Sequence, residues 1–208
     1  MKSVVTGNYI DNAFIEWTNE HDEAPDFSSE YTFGGLTVTG NIFTANDAAS
    51  WFSWLVVKPF GTGHYVHGLS VTGNTFKSLN GTTDRVEKVD NSIADLVFGS
   101  MRNVVFDGNT FNGIGQVTQN PVTVQFDQAS AATDWQVDVG GWLPFGGKAR
   151  TVTSIMTEGA IKNASNAKVY TLPYVTTETG AGQDEVTLSW SEAVKGRVHV
   201  TARVDKPV

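Results

Sequence analysis

The chain has 208 residues, no cysteine and a formal net charge of −8 at pH 7. This length allows one large or two small domains with a hydrophobic core, and the lack of cysteine excludes disulfides and thiolate metal sites. The acidic balance disfavours nucleic acids and anionic membranes as partners, although an acidic polysaccharide could still bind through local positive groups or a bridging cation. No run of residues approaches the length of a membrane span.

Four copies of one short pattern occupy the first half of the chain. Each copy is an alternating run followed by Gly-Asn and a large apolar residue, with its glycine at Gly7, Gly40, Gly73 or Gly108. Successive glycines are separated by 33, 33 and 35 residues (40 − 7, 73 − 40 and 108 − 73). A fixed period in this range is typical of stacked repeat architectures, so the pattern predicts about four stacked coils.

Each copy combines a strand with a corner. In residues 36–39 apolar and polar side chains alternate with the period of two that marks a strand. Gly-Asn then breaks the strand, because both residues tolerate positive φ, and the segment after it is too short for a hairpin arm. We therefore expect a parallel β-helix with a corner ladder and an interior ring stack. The ladder would consist of Asn8, Asn41, Asn74 and Asn109, and the stack of Phe43, Phe76 and Phe111.

Between corners, each coil needs a second strand and an insertion loop. The second strands are predicted at 14–17, 51–57, 93–98 and 122–126, and the insertions at 19–30, 58–65 and 80–91. The first insertion is acidic and is interpreted as a solvated loop, with cation or sugar-hydroxyl binding as the alternative. It lacks the spacing and central glycine of an EF-hand, so calcium is only a weak expectation and no other cofactor or metal is expected.

The pattern changes after about residue 128. Alternating segments at 134–139, 149–157, 167–175, 185–190 and 197–204 are separated by Gly- and Asn-rich turns, which favours an antiparallel sheet or small sandwich. We predict an all-β chain with a β-helix domain over 1–130 and an antiparallel capping or trimerisation domain over 131–208. Trp135, Trp142 and Phe145 are expected to seal the end of the helix. Because the first copy starts mid-coil, we expect a longer protein upstream or a covering chain.

The repeat resembles right-handed parallel β-helix proteins of the pectin-lyase-like type, over residues 3–126. Within that group the chain is similar to spike or tailspike proteins of phages and phage-like particles, including gene transfer agent head spikes. The segment Trp-Gln-Val-Asp-Val-Gly-Gly-Trp-Leu-Pro-Phe-Gly-Gly at 135–147 is similar to regions attached to such helices. The resemblance implies a homotrimer on the virion or particle surface, joined to other particle proteins through a preceding part. It also implies recognition of bacterial surface (capsular) polysaccharide, which some such spikes cleave.

Catalytic sites compete with a purely binding function. His-Gly-Leu-Ser at His67 resembles the His-Gly-x-Ser motif of polygalacturonase-like hydrolases, whose chemistry needs several carboxylates on neighbouring coils. Coil two offers only Asp47. A lyase needs a base and a neutraliser of the substrate carboxylate, for which Asp95 and Asp107, with Arg102 nearby, are the candidates. The catalytic candidates are therefore His67, Asp95 and Asp107, and the sequence favours binding over cleavage.

Aromatic side chains near polar groups are the candidates for carbohydrate binding, because rings present a large apolar face with low entropy cost. They are Trp17, Trp51, Trp54, His64 and Tyr65. The competing interpretation is that these rings pack a core or a subunit interface. We therefore expect a polysaccharide-binding spike component, with an extracellular polysaccharide lyase or hydrolase and a structural trimeric fibre segment as alternatives.

Overall fold

The structure, a computed structural model, describes residues 3–19 and 33–206. In these ranges the chain is all-β with parallel sheets, as predicted, and contains two short 3-10 helices but no α-helix. It divides into two compact units. The first contains the described residues up to Asn120 together with Pro144–Gly146 and 205–206, and the second contains Pro121–Leu143 and Gly147–Val204.

Eleven strands of the first unit form three parallel sheets, and the chain visits the sheets in rotation. The first sheet has the order β1 (Ser3–Thr6), β4 (Phe33–Thr39), β7 (Val66–Thr72) and β10 (Arg102–Asp107). The second has β2 (Tyr9–Asp11), β5 (Ile42–Asn46), β8 (Thr75–Leu79) and β11 (Thr110–Asn112). The third has β3 (Ile15–Thr18), β6 (Leu55–Lys58) and β9 (Glu87–Val89).

The strand register follows the repeat. Leu36 pairs with Leu69, which pairs with Val104, so equivalent positions of successive copies lie beside one another. The predicted interior stack is confirmed: the rings of Phe43 and Phe76 lie 4.9 Å apart at 10°, and those of Phe76 and Phe111 lie 5.8 Å apart at 14°. Alternation within each strand therefore buries one apolar row per sheet.

The corner ladder is also confirmed. Asn41 Oδ1 accepts hydrogen bonds from the backbone N–H and the Nδ2 of Asn8, both at 3.0 Å. Asn74 Oδ1 does the same for Asn41 at 3.0 Å, and Asn109 Oδ1 does so for Asn74 at 2.9 and 3.0 Å. The preceding glycine adopts positive φ in every copy, for example 64° at Gly40, which a residue with a Cβ rarely adopts.

The second unit is an antiparallel sheet built on one long strand. Its strands are β12 (Val122–Asp138), β13 (Thr151–Asn163), β14 (Tyr174–Thr179) and β15 (Glu185–Arg203). The order is β12-β15-β13, and β14 also pairs with β15. The two predicted segments at 185–190 and 197–204 are thus one strand. Trp135 is fully buried here, with its ring centroid 5.0 Å from that of Trp190.

The first unit ends at Asn120 and the second begins at Pro121, whereas the sequence predicted a boundary at about 128–133. The predicted second strand of coil four, 122–126, belongs to β12 and pairs antiparallel, with Val122 opposite Ala202. Alternating side chains have the same period in parallel and antiparallel strands, so the pattern alone could not assign the partner. Most of the predicted acidic insertion at 19–30 lies outside the described residues.

Two further predictions are wrong in detail. Residues 93–98 form no strand, and a 3-10 helix begins at Phe98. The third strand of that coil is instead β9, which lies inside the predicted insertion at 80–91. Of the three rings expected to seal the helix, Phe145 belongs to the first unit and packs edge-on against Phe106, with centroids 5.9 Å apart. Trp135 is core of the second unit, and Trp142 is 39% exposed.

Candidate functional site

An unusual buried carboxylate marks the end of the third sheet. Ile15, Leu55 and Glu87 occupy equivalent positions in the three strands, so Glu87 stands where the other two strands of the sheet have an apolar residue. Its side chain is fully buried. A buried charge is costly unless it is paired and hydrogen-bonded, and so its partners decide what it does.

Three groups hold the Glu87 carboxylate. Oε1 accepts hydrogen bonds from Arg85 Nε at 3.0 Å and from the Phe145 backbone N–H at 3.1 Å, and Oε2 accepts one from Thr118 Oγ1 at 2.5 Å. Burial raises the pKa of Glu87, while the Arg85 charge and the donors from Thr118, Phe145 and Arg85 oppose that rise. Both oxygens are therefore engaged, and Glu87 fixes the segment that contains Phe145.

A cleft of about 300 Å³ opens beside this carboxylate. We call it the β9 cleft. Its polar lining consists of Arg85, Lys88, Asn91 and Asp95, with Glu87 at the base, and Phe98 supplies an apolar wall. Asn91 and Asp95 are exposed, so their side chains are available to a ligand. The cleft thus combines both signs of charge, an amide and an aromatic ring.

An exposed indole lies next to the β9 cleft. Lys88 Nζ lies 5.4 Å from the ring centroid of Trp51 and donates a hydrogen bond to the Trp51 carbonyl at 2.5 Å. Trp51 is 59% exposed, and the ring of Phe14 meets it edge-on at 6.3 Å. Because Lys88 lines the cleft and touches Trp51, the ring and the cleft form one continuous surface.

The other predicted binding residues lie elsewhere. Trp54 and His64 are fully buried, and Trp54 Nε1 donates to the Thr44 carbonyl at 3.4 Å. Trp17 is half-buried and packs edge-on against Phe33 at 5.3 Å, and Tyr65 is also half-buried. Trp54 and His64 therefore present no face to a sugar, and neither Trp17 nor Tyr65 lines the β9 cleft. Of the five predicted aromatics, Trp51 is retained.

The three predicted catalytic residues do not all line one cleft. Asp95 lines the β9 cleft, where its Oδ1 accepts the Leu96 backbone N–H at 2.8 Å. His67 lies on β7, opposite Arg102 of β10. Asp107 is exposed at the end of β10 and lines a separate cleft of about 320 Å³. His67 and Asp107 thus belong to the first sheet, whereas Asp95 follows the last strand of the third.

No group of three His, Asp or Glu side chains within 3–19 and 33–206 is arranged to hold a metal ion. In the same ranges no helix is both long and apolar enough to cross a membrane.

Sequence reasoning missed Arg85, Glu87 and Lys88 because they fell in a segment interpreted as a charged insertion. A weak signal was present, since Glu87 lies 32 residues after Leu55 (87 − 55), close to the repeat period. Val86 and Val89 also flank it with apolar side chains. A short strand with a charged residue at an inward position does not show the alternation of apolar and polar residues by which strands are predicted.

Comparisons with protein-family models, curated proteins and solved structures found no match to this chain. The chemistry of the β9 cleft and Trp51 is therefore the basis for assigning a function. An aromatic face with an adjoining cation, carboxylate and amide suits a neutral or anionic ligand that has both an apolar face and many hydroxyl groups.

Proposed function

We propose that this protein is a component of a spike on a phage or phage-like particle, and that it binds a bacterial surface (capsular) polysaccharide. The observation that carries the proposal is the exposed indole of Trp51, which adjoins the polar β9 cleft through Lys88. Single exposed rings are common on protein surfaces. An exposed ring that continues into a cleft with convergent polar groups is typical of a binding site.

The chemistry of a sugar matches the two parts of this surface. The C–H face of a pyranose is apolar and packs on an indole, while its hydroxyl groups need both donors and acceptors. In this site Asn91 supplies both kinds of group, Asp95 supplies acceptors and Lys88 supplies donors. Lys88 also suits a sugar that carries a carboxylate, since it brings a positive charge to a chain whose net charge is −8.

The scaffold of the proposed spike is a right-handed parallel β-helix, assembled as a homotrimer. Three parallel sheets visited in rotation, with a ladder of asparagines at one corner, support the β-helix part of this proposal. Such a rod suits a particle surface, because its stacked coils hold a binding site at a fixed position along the axis. A trimer would present three copies of the site, so weak individual contacts would add by avidity to a polymeric ligand.

A second candidate function is hydrolysis or lysis of the same polysaccharide. It is favoured by one observation: two carboxylates, Glu87 and Asp95, line the β9 cleft, and burial raises the pKa of Glu87. Two carboxyl groups that flank one cleft, one of them with a raised pKa, are the arrangement that glycosidases use. Against it stand the three donors that occupy both oxygens of Glu87, and binding is therefore the better supported function.

One experiment separates these functions. The full chain is incubated with capsular polysaccharides from a bacterial panel, and binding and newly formed reducing or unsaturated ends are measured in the same samples. We expect binding without new ends, and weaker binding by Trp51→Ala. The matched control is Tyr9→Ala, which removes a ring of similar exposure (68%, against 59% for Trp51) from the second sheet.

Each result decides between candidates. New ends that form with the wild type would replace the binding proposal by the enzymatic one. Absence of both binding and new ends across the panel would leave a structural fibre segment. Equal loss of binding in Trp51→Ala and Tyr9→Ala would show that Trp51 is not the contact. Light scattering tests the trimer, which predicts a particle of three times the chain mass.

A further inference from the structure

The asparagine ladder ends at Asn109, whose donors are not all used. One copy earlier, the backbone N–H and the Nδ2 of Asn74 both donate to Asn109 Oδ1, at 2.9 and 3.0 Å. Within residues 3–19 and 33–206, Asn109 Nδ2 donates only to the Val71 carbonyl, at 2.8 Å, and the Asn109 backbone N–H has no acceptor. Asn109 therefore offers its backbone N–H and one Nδ2 hydrogen to an acceptor from outside this part of the chain.

The two donors of Asn109 are arranged like those of Asn74. Gly73 and Gly108, which precede the two asparagines, both have a φ of 62°. Each Nδ2 also donates to the valine carbonyl of the preceding copy, at 2.9 Å for Asn74 and 2.8 Å for Asn109. The donors of Asn74 meet on a single amide oxygen. A carbonyl oxygen has two lone pairs and can accept both bonds, so one such oxygen satisfies Asn109.

A cleft of about 320 Å³ lies beside these donors, and we call it the corner cleft. Its lining includes Asn109, Asp107, Gln119, Phe111 and Val117. Phe111 stacks on the interior row of rings and Val117 is 39% exposed, so these two form an apolar side. Asp107 is exposed and Gln119 is half-buried, and no hydrogen bond engages either side chain in the described part of the chain. The corner cleft thus combines two converging donors, unused acceptors and an apolar side.

We propose that the corner cleft binds the acetamido group of an N-acetylated sugar. The carbonyl oxygen of this group accepts from both donors of Asn109, as the side-chain oxygen of the next asparagine does in the earlier copies. Its N–H finds an acceptor in Asp107 or Gln119, and its methyl group contacts the apolar side. A carboxylate would also accept from Asn109, but Asp107 and the net charge of −8 repel it.

This inference rests on the proposed polysaccharide binding and names the kind of sugar that is recognised. Thr118 links the corner cleft to the β9 cleft, because it lines the first and donates at 2.5 Å to Glu87, which lines the second. Both clefts therefore adjoin the same buried hydrogen bond. A polysaccharide offers many sugars in sequence, and contacts in two neighbouring clefts strengthen its binding.

Nuclear magnetic resonance tests the inference on the full chain. A short oligomer of N-acetylglucosamine is added in steps while the backbone amide signals are followed. The control ligand is the glucose oligomer of equal length and linkage, which has a hydroxyl in place of each acetamido group. We expect the Asn109 amide signal to shift and saturate with the N-acetylated oligomer. The dissociation constant of the glucose oligomer should be at least about tenfold higher, which corresponds to about 1.4 kcal/mol.

Two variants test the site itself. Asn109→Asp keeps the oxygen that accepts from Asn74 but replaces the Nδ2 donor by an oxygen, so affinity for the N-acetylated oligomer should fall at least about tenfold. The matched control is Asn8→Asp, which makes the same change at the exposed opposite end of the ladder and should not alter binding. Val117→Trp narrows the cleft and leaves the ladder intact. It should give the same loss, and it keeps the test decisive if circular dichroism shows that Asn109→Asp does not fold.

Three results would overturn the inference: equal affinity for the two oligomers, no shift of the Asn109 amide up to about 10 mM oligomer, or unchanged affinity in the folded variants. A further probe is the amide of N-acetyl-asparagine. If it shifts the Asn109 signal at lower concentration than the oligomer does, the occupant is a protein side chain and the assignment to a sugar is wrong.

Failures of the two proposals can be told apart. Capsular polysaccharides whose binding depends on Trp51 but leaves the Asn109 amide signal unchanged would overturn this inference while the proposed function stands. A saturating shift at Asn109 with the N-acetylated oligomer, together with no polysaccharide bound across the panel, would support the corner cleft and overturn the proposed function.

Discussion

The asparagine ladder allows the sharpest prediction about stability. The side chain of Asn74 makes four hydrogen bonds and is 1% exposed. Its Oδ1 accepts from the backbone N–H and the Nδ2 of Asn41, both at 3.0 Å. Its Nδ2 donates to the Val38 carbonyl at 2.9 Å and to Asn109 Oδ1 at 3.0 Å. Truncation by Asn74→Ala removes all four at once.

The loss of stability follows from the buried groups that Asn74→Ala leaves without a hydrogen-bond partner. The buried N–H of Asn41 loses its acceptor and the Val38 carbonyl loses a donor, whereas Asn109 Oδ1 keeps the backbone N–H of Asn74. Each buried group without a partner costs about 1–3 kcal/mol. We therefore expect Asn74→Ala to lower the free energy of unfolding by about 3–5 kcal/mol. Asn8→Ala should cost at most about 1 kcal/mol, because Asn8 is exposed at the end of the ladder.

Asn74→Asp separates hydrogen bonding from packing. The carboxylate would place an oxygen opposite the Val38 carbonyl and Asn109 Oδ1, where the wild type has a donor. At neutral pH this variant should be less stable than Asn74→Ala despite its better shape match, and acidification should reduce the difference as the carboxyl gains a proton. Urea unfolding and hydrogen exchange at the Asn41 amide are the measurements. If Asn74→Ala and Asn8→Ala lower the free energy of unfolding by amounts that agree within about 1 kcal/mol, the buried hydrogen bonds of Asn74 do not stabilise the ladder as argued.

Two more predictions concern the end of the first unit. Because burial raises the folded-state pKa of Glu87 above its usual 4.5, the native state holds this proton more tightly. The stability of the wild type relative to Glu87→Gln should therefore fall as pH rises from about 4.5 and level off once the folded-state pKa is passed. Urea titrations at successive pH values test this, and a difference that grows with pH would contradict it. Phe145→Ala should cost about 3–5 kcal/mol by loss of a buried ring, against less than about 1 kcal/mol for the partly exposed Trp142→Ala. Equal decreases in the thermal unfolding temperature of Phe145→Ala and Trp142→Ala would show that Phe145 does not anchor the end of the first unit.

The regular part of the fold could be predicted because each copy repeats the same physical demand. A corner that needs positive φ favours Gly. A ladder in which the Oδ1 of each asparagine accepts hydrogen bonds from the asparagine of the preceding copy favours Asn. The pattern therefore appears at Gly40-Asn41 and again at Gly73-Asn74. The stacking of Phe43 on Phe76 follows from the same period. Local sequence and register agree there, and such agreement makes inference from a single sequence reliable.

The candidate site was harder to predict because burial is a tertiary property. Trp51 and Trp54 lie three residues apart, yet one is 59% exposed and the other fully enclosed. No local pattern separates them, since both flank the same apolar run. Glu87 shows the opposite case: a charged residue suggested a surface loop, but Arg85 and Thr118 allow it to be buried. For Glu87, the distant partner Thr118 could not be read from the local sequence.

The way in which the parallel stack ends also explains where the cleft lies. A last coil leaves unpaired backbone groups that another strand would normally cover. Here buried carboxylates accept backbone N–H groups: Glu87 accepts that of Phe145 at 3.1 Å, and Asp205 accepts that of Val104 at 2.9 Å. No further strand within the described residues joins the third sheet beyond β9, so the space beside Lys88 stays open as the β9 cleft. No further coil stacks on this surface, so its side chains need not match those of a next copy. The surface can therefore carry polar groups that suit a ligand.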